Sequence, residues 1–391
     1  MRSERTSKRW WHASLAFACS GCLGPTTSLD HWMDDLESAR DVNAMVHARI
    51  TAMGGTPLYE GETCVFLARA DDRGPPRIVG DFNDGGYAES ALAGDGSMRR
   101  IARSDWHVLR VHLAAQARIE YLVRRGDELA PDEHNPERVT TFGTVRSVAS
   151  AGSPRHAAPP TAAPASNVRQ FSLASAARGN TREVTVYLPP GYEPRGPRLP
   201  CLYIKDGSRF RDAAGMPALL DRLITTNRLP PLIAVFVDPI NRALEYGTAA
   251  SYRRFVVDEL VAEVERRFAA GGDPRRRGLF GASRGGLAVV DLLVQHPEVF
   301  GFAAAMSPAL SPLPVLQEIA AKPTVEGNFM VLVSRYDTPK LVREGHALVA
   351  ALRGRATTVI ADEMPIDHSI HGWKRWLEPV LTTWVAQMAL R

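Results

Sequence analysis

The segment Arg277-Gly-Leu-Phe-Gly-Ala-Ser-Arg-Gly-Gly-Leu287 decides how this chain folds. A mostly apolar run comes before the serine, and a helical pattern follows it and ends before Pro297. Gly281 and Gly285 flank Ser283, and their missing side chains let a strand and a helix pack closely around a strained turn. The segment therefore predicts a strand, a sharp turn and a helix, with the Ser283 hydroxyl raised above a sheet as in a nucleophile elbow.

Length and composition are those of a globular protein with two domains. The chain has 391 residues, of which 45% are hydrophobic and 23% are charged. The net charge of +4 is spread along the sequence, with no basic run interleaved with aromatic residues, so we expect no nucleic-acid partner. No stretch of about 18 apolar residues indicates a transmembrane helix. No cluster of histidine and cysteine has the spacing of metal ligands, so we expect no metal.

Residues 1–24 have the features of an export signal. A basic start precedes a short, moderately apolar run with small residues near its end. Cys19 follows Ala-Phe-Ala, which loosely resembles a lipoprotein processing site, and Cys22 is a poorer candidate. We therefore expect an exported protein that is periplasmic, secreted or lipid-anchored; the alternative is a cytoplasmic chain with a disordered tail. Cys64 and Cys201 fall in apolar runs of different predicted domains, so we expect two buried thiols rather than a disulfide.

Residues 29–148 predict a helix followed by a small antiparallel β-sandwich. Apolar residues recur at helical spacing over 29–53 and stop at a pair of glycines. Short strand-like runs separated by Gly, Asp and Pro turns follow, as in a sandwich of about 100 residues. Val79-Gly-Asp-Phe-Asn-Asp84 resembles a turn of early-set (Ig-like), carbohydrate-module-like domains, with Gly85 where those domains usually have tryptophan. We expect a packing or lid domain, with sugar binding as the alternative.

An Ala- and Pro-rich linker is predicted over residues 149–167, and an α/β domain over 168–391. In the second segment strand-like and helical runs alternate, which predicts a mostly parallel sheet with helices on both faces. Because active sites in such sheets lie at the carboxyl ends of the strands, we expect catalytic residues directly after them. The predicted strands are Arg182–Leu188, Leu199–Lys205, Leu232–Val237, Arg277–Ala282, Phe302–Met306, Phe329–Ser334 and Thr357–Ala361.

A serine nucleophile needs a base within reach and a third group to orient that base. In α/β-hydrolases these groups follow along the chain in the order serine, acid, histidine. His368 and His371 lie in the loop after the last predicted strand, where the base belongs. We select His371 because it opens the run His371-Gly-Trp-Lys-Arg-Trp376, and His368 is the alternative.

Asp337 is the predicted acid because it follows the strand Phe329–Ser334 and precedes the next helix. An aspartate at such a boundary can instead be a helix N-cap. The competing carboxylates, which lie on the histidine's own loop, are Asp362, Glu363 and Asp367. With Ser283 and His371, Asp337 completes the predicted triad.

An oxyanion formed during acyl transfer needs two backbone N–H donors. Arg284, the residue directly after Ser283, is expected to supply one of them. The other is expected from Lys205-Asp-Gly-Ser-Arg-Phe210, the loop after the second strand. Gly207 allows the backbone to approach closely there, and the Ser208 N–H is the candidate donor.

Several short segments of residues 169–391 resemble the putative-esterase family of α/β-hydrolases. They are Val184-Thr-Val-Tyr-Leu-Pro-Pro-Gly-Tyr192, Tyr203-Ile-Lys-Asp-Gly207, Asn241-Arg-Ala-Leu-Glu-Tyr246, Asp258-Glu-Leu260, Gly281-Ala-Ser-Arg-Gly-Gly286, His296-Pro-Glu-Val-Phe300, Ser307-Pro308 and His371-x-Trp373-x-x-Trp376. This family includes enterochelin (ferric-siderophore) esterases, feruloyl and acetyl xylan esterases, S-formylglutathione hydrolases and mycolyltransferases. A β-sandwich ahead of the hydrolase resembles the enterochelin-esterase-like branch.

The resemblance implies a serine carboxylic-ester hydrolase that works through an acyl-enzyme and requires no cofactor. Its implied partner is a small-molecule ester, either a siderophore or an acylated sugar. It supports the roles given to Ser283, His371, Arg284 and Ser208, and an acid at the turn that holds Asp337. The alternatives are a feruloyl or acetyl-sugar esterase, an acyltransferase of the same fold, or a catalytically dead relative that binds glycans.

The sequence departs from the family pattern at three positions of the predicted site. Lys205 stands before Asp-Gly, where the family usually has leucine. Ser369-Ile-His371 stands where Gly-Gly-His is common, which keeps His368 open as the base. Arg284 replaces a common Met or Leu and could favour an anionic or catecholate-bearing substrate, or simply point to solvent.

Overall fold

The protein has two structural parts, an N-terminal helical and β-sandwich domain and an eight-stranded sheet flanked by helices. The structure, a computed structural model, describes residues 28–151, 167–247, 249–311 and 314–389. The predicted fold class is confirmed. The predicted leader and most of the predicted linker, 149–167, lie outside the described residues.

The N-terminal domain opens with two helices, so the prediction of a single helix over 29–53 is wrong. Helix α1 spans Leu29–Ser38 and helix α2 spans Val42–Ala52. Ala39 is extended, and the Asp41 side chain caps α2 by accepting a hydrogen bond from a backbone N–H of its first turn. Both helices bury their apolar residues in the same cluster, so the apolar pattern continues across the break and conceals it.

Two antiparallel sheets form the predicted sandwich. Their strands are β1 Leu58–Glu60, β2 Thr63–Arg69, β3 Arg77–Gly80, β4 Arg99–Arg100, β5 Trp106–His112, β6 Arg118–Arg125, β7 Glu128–Ala130, β8 Arg138–Thr141 and β9 Thr144–Ser150. One sheet has the order β1-β2-β5-β4, and the other has the order β3-β6-β9-β8 with β7 paired to β6. Phe66 and Tyr121 meet edge to face between the sheets, with ring centroids 4.9 Å apart.

The second domain is built on one eight-stranded sheet whose central strands are almost entirely buried. Its strands are β10 Val168–Ser175, β11 Asn180–Tyr187, β12 Cys201–Lys205, β13 Ile233–Val237, β14 Arg277–Ala282, β15 Phe302–Met306, β16 Val325–Ser334 and β17 Ala356–Met364. The order is β10-β11-β13-β12-β14-β15-β16-β17. The pairs β10–β11 and β11–β13 are antiparallel, and all later pairs are parallel. The carboxyl ends of the parallel strands therefore meet at one edge.

Helices cover both faces of this sheet, as predicted. They are α3 Met216–Thr225, α4 Arg242–Glu245, α5 Ala250–Arg254, α6 Val261–Arg267, α7 Arg284–Gln295, α8 Val315–Ala321, α9 Pro339–Leu352, α10 Ile370–Trp373 and α11 Leu377–Ala389. One apolar core lies under α6, α7 and α9, and the other lies under α3 and α11. A π-helical turn, Phe255–Leu260, interrupts the helix predicted over Tyr252–Phe268.

Both cysteines of the described residues are buried, one in each domain. Cys64 lies in β2 and Cys201 begins β12. Burial raises the pKa of the Cys201 thiol to about 12, so this thiol stays protonated at neutral pH. Within the part of the chain that the structure describes, no helix is long and apolar enough to cross a membrane.

Candidate active site

Ser283 lies on a strained turn between β14 and α7. Its backbone has φ 57° and ψ −125°, a left-handed conformation that a residue with a side chain rarely adopts. A Cβ on Gly281 would come within 2.3 Å of the Gly285 carbonyl oxygen, so strand and helix approach too closely for any larger residue. The Ser283 N–H donates to the Met306 carbonyl at 2.9 Å, which ties the turn to the neighbouring strand β15. The predicted strand–turn–helix is therefore present.

Asp337 follows β16 at the same edge of the sheet and is paired with a histidine. Its side chain is buried, and its Oδ2 lies 2.7 Å from Nδ1 of His368. Its Oδ1 accepts a hydrogen bond of 2.7 Å from the Thr338 N–H. With the Nδ1 proton donated to Asp337, Nε2 is the ring nitrogen left for proton transfer. The ring also meets Trp373 edge to face, with centroids 4.8 Å apart.

The structure does not bring His371 to Asp337. Ser369 caps α10, because its side chain accepts a hydrogen bond from the Gly372 N–H, and His371 therefore lies within the helix. Its Nε2 lies 3.3 Å from the Thr140 carbonyl oxygen of the β-sandwich. Burial lowers the pKa of His371, in contrast to that of His368. We selected His371 because it opens a run that resembles the family. The sequence Ser369-x-x-Gly372 already indicated a helix cap at Ser369, which places His371 inside the helix and leaves His368 in the loop before it.

The competing carboxylates have other partners. Asp362 and Glu363 are exposed, and Glu363 forms an ion pair with His346 at 3.3 Å. Asp367 is fully buried but accepts hydrogen bonds of 2.6 Å from the Glu120 N–H and from the Ser369 hydroxyl. Among the candidate acids of the described residues, Asp337 is therefore the one that contacts a candidate base.

Negative charge around His368 raises its pKa above the ordinary value of 6.5. Burial opposes protonation of the ring, but the Asp337 carboxylate, with a smaller contribution from Asp81, outweighs that effect. Asp81 belongs to the β-sandwich, and burial raises the pKa of its carboxyl group. Burial also raises the pKa of Asp367, to about 8. The sandwich thus contributes to the electrostatics of the candidate site, which the sequence did not predict.

The two predicted oxyanion donors differ in their availability. Arg284 begins α7, where backbone N–H groups have no partner within the helix and carry partial positive charge. The Ser208 N–H instead donates to the Asp238 carboxylate, at 3.1 and 3.3 Å. A Cβ on Gly207 would come within 2.4 Å of the Val237 nitrogen, so the loop packs tightly against the end of β13. This close approach places the Ser208 N–H next to Asp238, the residue after β13.

The β-sandwich packs directly on the loop that carries His368. The Arg118 N–H donates to the Pro365 carbonyl at 3.0 Å, and the Glu120 N–H donates to Asp367. A second contact joins the domains beside the acid, where the hydroxyl of Tyr336 accepts a hydrogen bond of 2.7 Å from the Ala114 N–H. The hairpin β8–β9 extends this surface toward the oxyanion loop, because the Arg209 guanidinium lies 4.9 Å from the Phe142 ring.

A cavity of about 290 Å³ lies at this junction and reaches Asp337. Phe82 and Leu92 line it from the sandwich, and Tyr336 and Val342 line it from the second domain. A larger cavity, of about 640 Å³, lies beside the edge strand β10 and includes none of the candidate site residues. The smaller cavity is therefore the one that adjoins the site.

The fold and the arrangement of these residues define a protein of the α/β-hydrolase class. The family model described as "Putative esterase" matches residues 175–377. The chain therefore belongs to this esterase family.

Curated relatives match parts of the chain. The chain is 29% identical over 146 residues to the uncharacterized protein YbbA of Bacillus subtilis, which covers 33% of this chain and 57% of that protein. It is 28% identical over 125 residues to the iron(III) enterobactin esterase of Dickeya dadantii, a match that covers 31% of this chain and 28% of that protein. It is 26% identical over 152 residues to an endo-1,4-beta-xylanase/feruloyl esterase of Xylanibacter ruminicola, covering 35% and 21%. The matched parts span less than two thirds of each of these relatives.

Solved structures match nearly the whole described chain. The enterobactin esterase from Shigella flexneri, in the presence of 2,3-di-hydroxy-N-benzoyl-glycine, superposes with a TM-score of 0.65 at 18% identity, covering 87% of this chain and 98% of that one. The ferric enterobactin esterase from Salmonella typhimurium also gives a TM-score of 0.65 at 18% identity, covering 85% and 97%. The fold shared with these proteins therefore includes the N-terminal domain.

Proposed function

We propose that this protein is a serine carboxylic-ester hydrolase in which Ser283 is the nucleophile, His368 the base and Asp337 the acid. The observation that carries the proposal is the 2.7 Å contact between His368 Nδ1 and Asp337 Oδ2, at the sheet edge where Ser283 lies on its strained turn. His368 takes the role that the sequence alone assigned to His371.

The reaction begins with attack of the Ser283 hydroxyl oxygen on the ester carbonyl. His368 Nε2 accepts the hydroxyl proton, and the Asp337 carboxylate stabilises the imidazolium that results. The oxyanion of the tetrahedral intermediate is stabilised by the Arg284 N–H at the start of α7 and by the Ser208 N–H. Because the Ser208 N–H donates to Asp238 in the structure, the oxyanion must replace this carboxylate as its acceptor.

The intermediate collapses when the leaving alkoxide takes the proton from His368. This step releases the alcohol and leaves the acyl group on Ser283. Water then attacks the acyl-enzyme, and His368 again accepts a proton. The bond between the acyl carbon and the Ser283 oxygen breaks, His368 returns the proton to that oxygen, and the carboxylic acid is released.

An anionic, aromatic ester such as a siderophore fits the surroundings of Ser283. The Arg284 side chain, next to the nucleophile, makes no ion pair or hydrogen bond among the described residues. Arg209 belongs to the oxyanion loop, and its guanidinium stacks on the exposed ring of Phe142. Guanidinium groups and an exposed ring favour negatively charged aromatic groups. The likeness to enterobactin esterases over both domains supports this choice.

A feruloyl ester is the second candidate. The match to a xylanase/feruloyl esterase supports it, and the same ring at the site would contact a feruloyl group. The two candidates differ in charge, since a catecholate siderophore is anionic and a feruloyl sugar is neutral.

Labelling with a fluorophosphonate probe tests the nucleophile. We expect the wild type to be labelled and Ser283→Ala to remain unlabelled at an unchanged thermal midpoint. Labelling that persists in Ser283→Ala, or no labelling of the wild type, would overturn the proposal. A panel of catecholate lactones, feruloyl sugars and acetyl sugars then ranks the substrates by kcat/KM, and we expect the lactones to rank first.

A further inference from the structure

The loop after β12 lies against the nucleophile elbow. Asp206 has a left-handed backbone with φ 52°, which turns the chain sharply at the end of the strand. A Cβ on Gly285 would come within 3.1 Å of Asp206 Oδ2, so this carboxylate touches the first turn of α7. The loop that carries Ser208 and the turn that carries Ser283 are therefore in direct contact.

Arg242 joins these two segments through a single side chain. Its Nε and Nη2 donate hydrogen bonds of 2.8 Å to the two oxygens of Asp206, a bidentate geometry that fixes both groups. The same Nη2 lies 3.4 Å from the carbonyl oxygen of Ala282, the residue before the nucleophile. Burial disfavours the charge on Arg242, but the Asp206 carboxylate outweighs that effect and raises the pKa of the guanidinium.

The short helix α4, which carries Arg242, is itself fixed by hydrogen bonds of Glu245 and Tyr246. Glu245 accepts hydrogen bonds of 2.9 and 3.2 Å from Arg182, and both side chains are buried. The hydroxyl of Tyr246 accepts a hydrogen bond of 2.9 Å from the Asp206 N–H. Helix α4 is thus connected to the loop and to strand β11 by Arg242, Glu245 and Tyr246. Among the described residues, none of these three forms a hydrogen bond with Ser283 or His368.

We infer that Arg242 is a positioning residue for ester hydrolysis, which holds the oxyanion loop at a fixed distance from the nucleophile. This inference rests on the proposed function. Oxyanion donors act on charge that develops only in the transition state, so their displacement lowers kcat and leaves substrate binding largely unchanged. A structural role alone would lower stability without this effect on kcat.

The test compares Arg242→Gln with Arg253→Gln in the full-length protein. Arg253 offers a matched control, because its guanidinium also pairs with a buried carboxylate of the same domain, that of Asp291 in helix α7, at 2.9 and 3.1 Å, and not with the oxyanion loop. For hydrolysis of p-nitrophenyl butyrate we expect Arg242→Gln to lower kcat by about 100- to 1,000-fold with KM within about threefold, the range seen when one oxyanion donor is lost. We expect Arg253→Gln to stay within about threefold in both constants.

A second variant keeps the test decisive if Arg242→Gln does not fold. Arg242→Lys retains the positive charge but cannot bind both Asp206 oxygens and reach Ala282, so we expect kcat to fall by about tenfold or more. Equal losses of kcat in Arg242→Gln and Arg253→Gln would overturn the inference. A rise in KM at unchanged kcat would also overturn it, because that result assigns Arg242 to substrate contact. Labelling of the wild type at Ser283, measured alongside, tests the proposed function separately.

Discussion

The two sides of the candidate site are held in place differently. The serine side is fixed within the second domain, where Arg242 joins the oxyanion loop to the elbow and α4 is anchored by neighbouring residues. The histidine side is fixed by the other domain, because Glu120 and Arg118 of strand β6 bind the loop before His368.

The β-sandwich therefore helps to build the candidate site. The bond between Arg242 and Asp206 spans 36 positions of the chain, whereas the bond between Glu120 and Asp367 spans 247. Because the bond between Arg242 and Asp206 lies within the second domain, it forms whenever that domain folds. The bond between Glu120 and Asp367 joins the two domains, so the position of His368 depends on docking of the sandwich.

Among changes at the contacts between the two domains, loss of a docking hydrogen bond is expected to have the largest effect on activity. Asp367→Ala removes the acceptor of the Glu120 N–H and of the Ser369 hydroxyl, so the loop that carries His368 shifts. We expect kcat/KM to fall by about 10- to 100-fold, since a displacement of about 1 Å is costly in catalysis. Asp362→Ala, an exposed carboxylate on the preceding strand, is the control and should behave like the wild type in the same assay. Equal activity of the two variants would show that docking does not position the histidine.

Removing one charge of the sandwich is expected to shift the pH profile by a smaller amount. Asp81→Asn removes a negative charge that raises the pKa of His368. The proposed base, His368, acts in its neutral form, so the acid limb of kcat/KM should move to lower pH. Asp84→Asn, an exposed position in the same turn, is the control and should leave the limb in place. A limb that stays in place, or moves to higher pH, in Asp81→Asn would contradict the electrostatic link between the domains.

The smallest effect on activity is expected at Lys205, where stability changes instead. Lys205 is fully buried, and its ammonium has no hydrogen-bond partner in the described structure. It lies 5.2 Å from the Tyr252 ring, and its pKa is lowered to about 7, chiefly by burial and also by Arg182, against the opposing charges of Glu245 and Asp206. Below about pH 7 the folded protein holds Lys205 as a buried ammonium ion. Above that pH the folded protein releases this proton, whereas the unfolded chain keeps it until about pH 10.5.

Lys205→Met should therefore stabilise the fold. We expect the free energy of unfolding to rise by about 1–4 kcal/mol near pH 6, with a smaller gain at pH 9, because the wild type itself becomes more stable as pH rises through this window. Urea denaturation at the two pH values measures the change, and kcat should stay within about threefold. A variant that is less stable than the wild type at pH 6 would contradict this account of the buried lysine.

The sequence predicted the serine side better than the histidine side. The elbow strand Arg277–Ala282 and the turn after it are as predicted, because glycines at fixed spacing dictate the local backbone. The histidine could not be selected in the same way, since the direction of its ring depends on where α10 begins and on contacts with a distant domain. The Ser208 N–H has an acceptor, Asp238, on another strand's loop, which no local pattern indicates.

The most direct test of the account compares His368→Gln with His371→Gln in hydrolysis of p-nitrophenyl butyrate. His368 is paired with Asp337, whereas His371 contacts the sandwich backbone at Thr140. We predict that His368→Gln lowers kcat by about 10⁴-fold or more, as expected for loss of a triad base, and that His371→Gln lowers it by less than about tenfold. A collapse of activity in His371→Gln, with His368→Gln still active, would contradict the assignment.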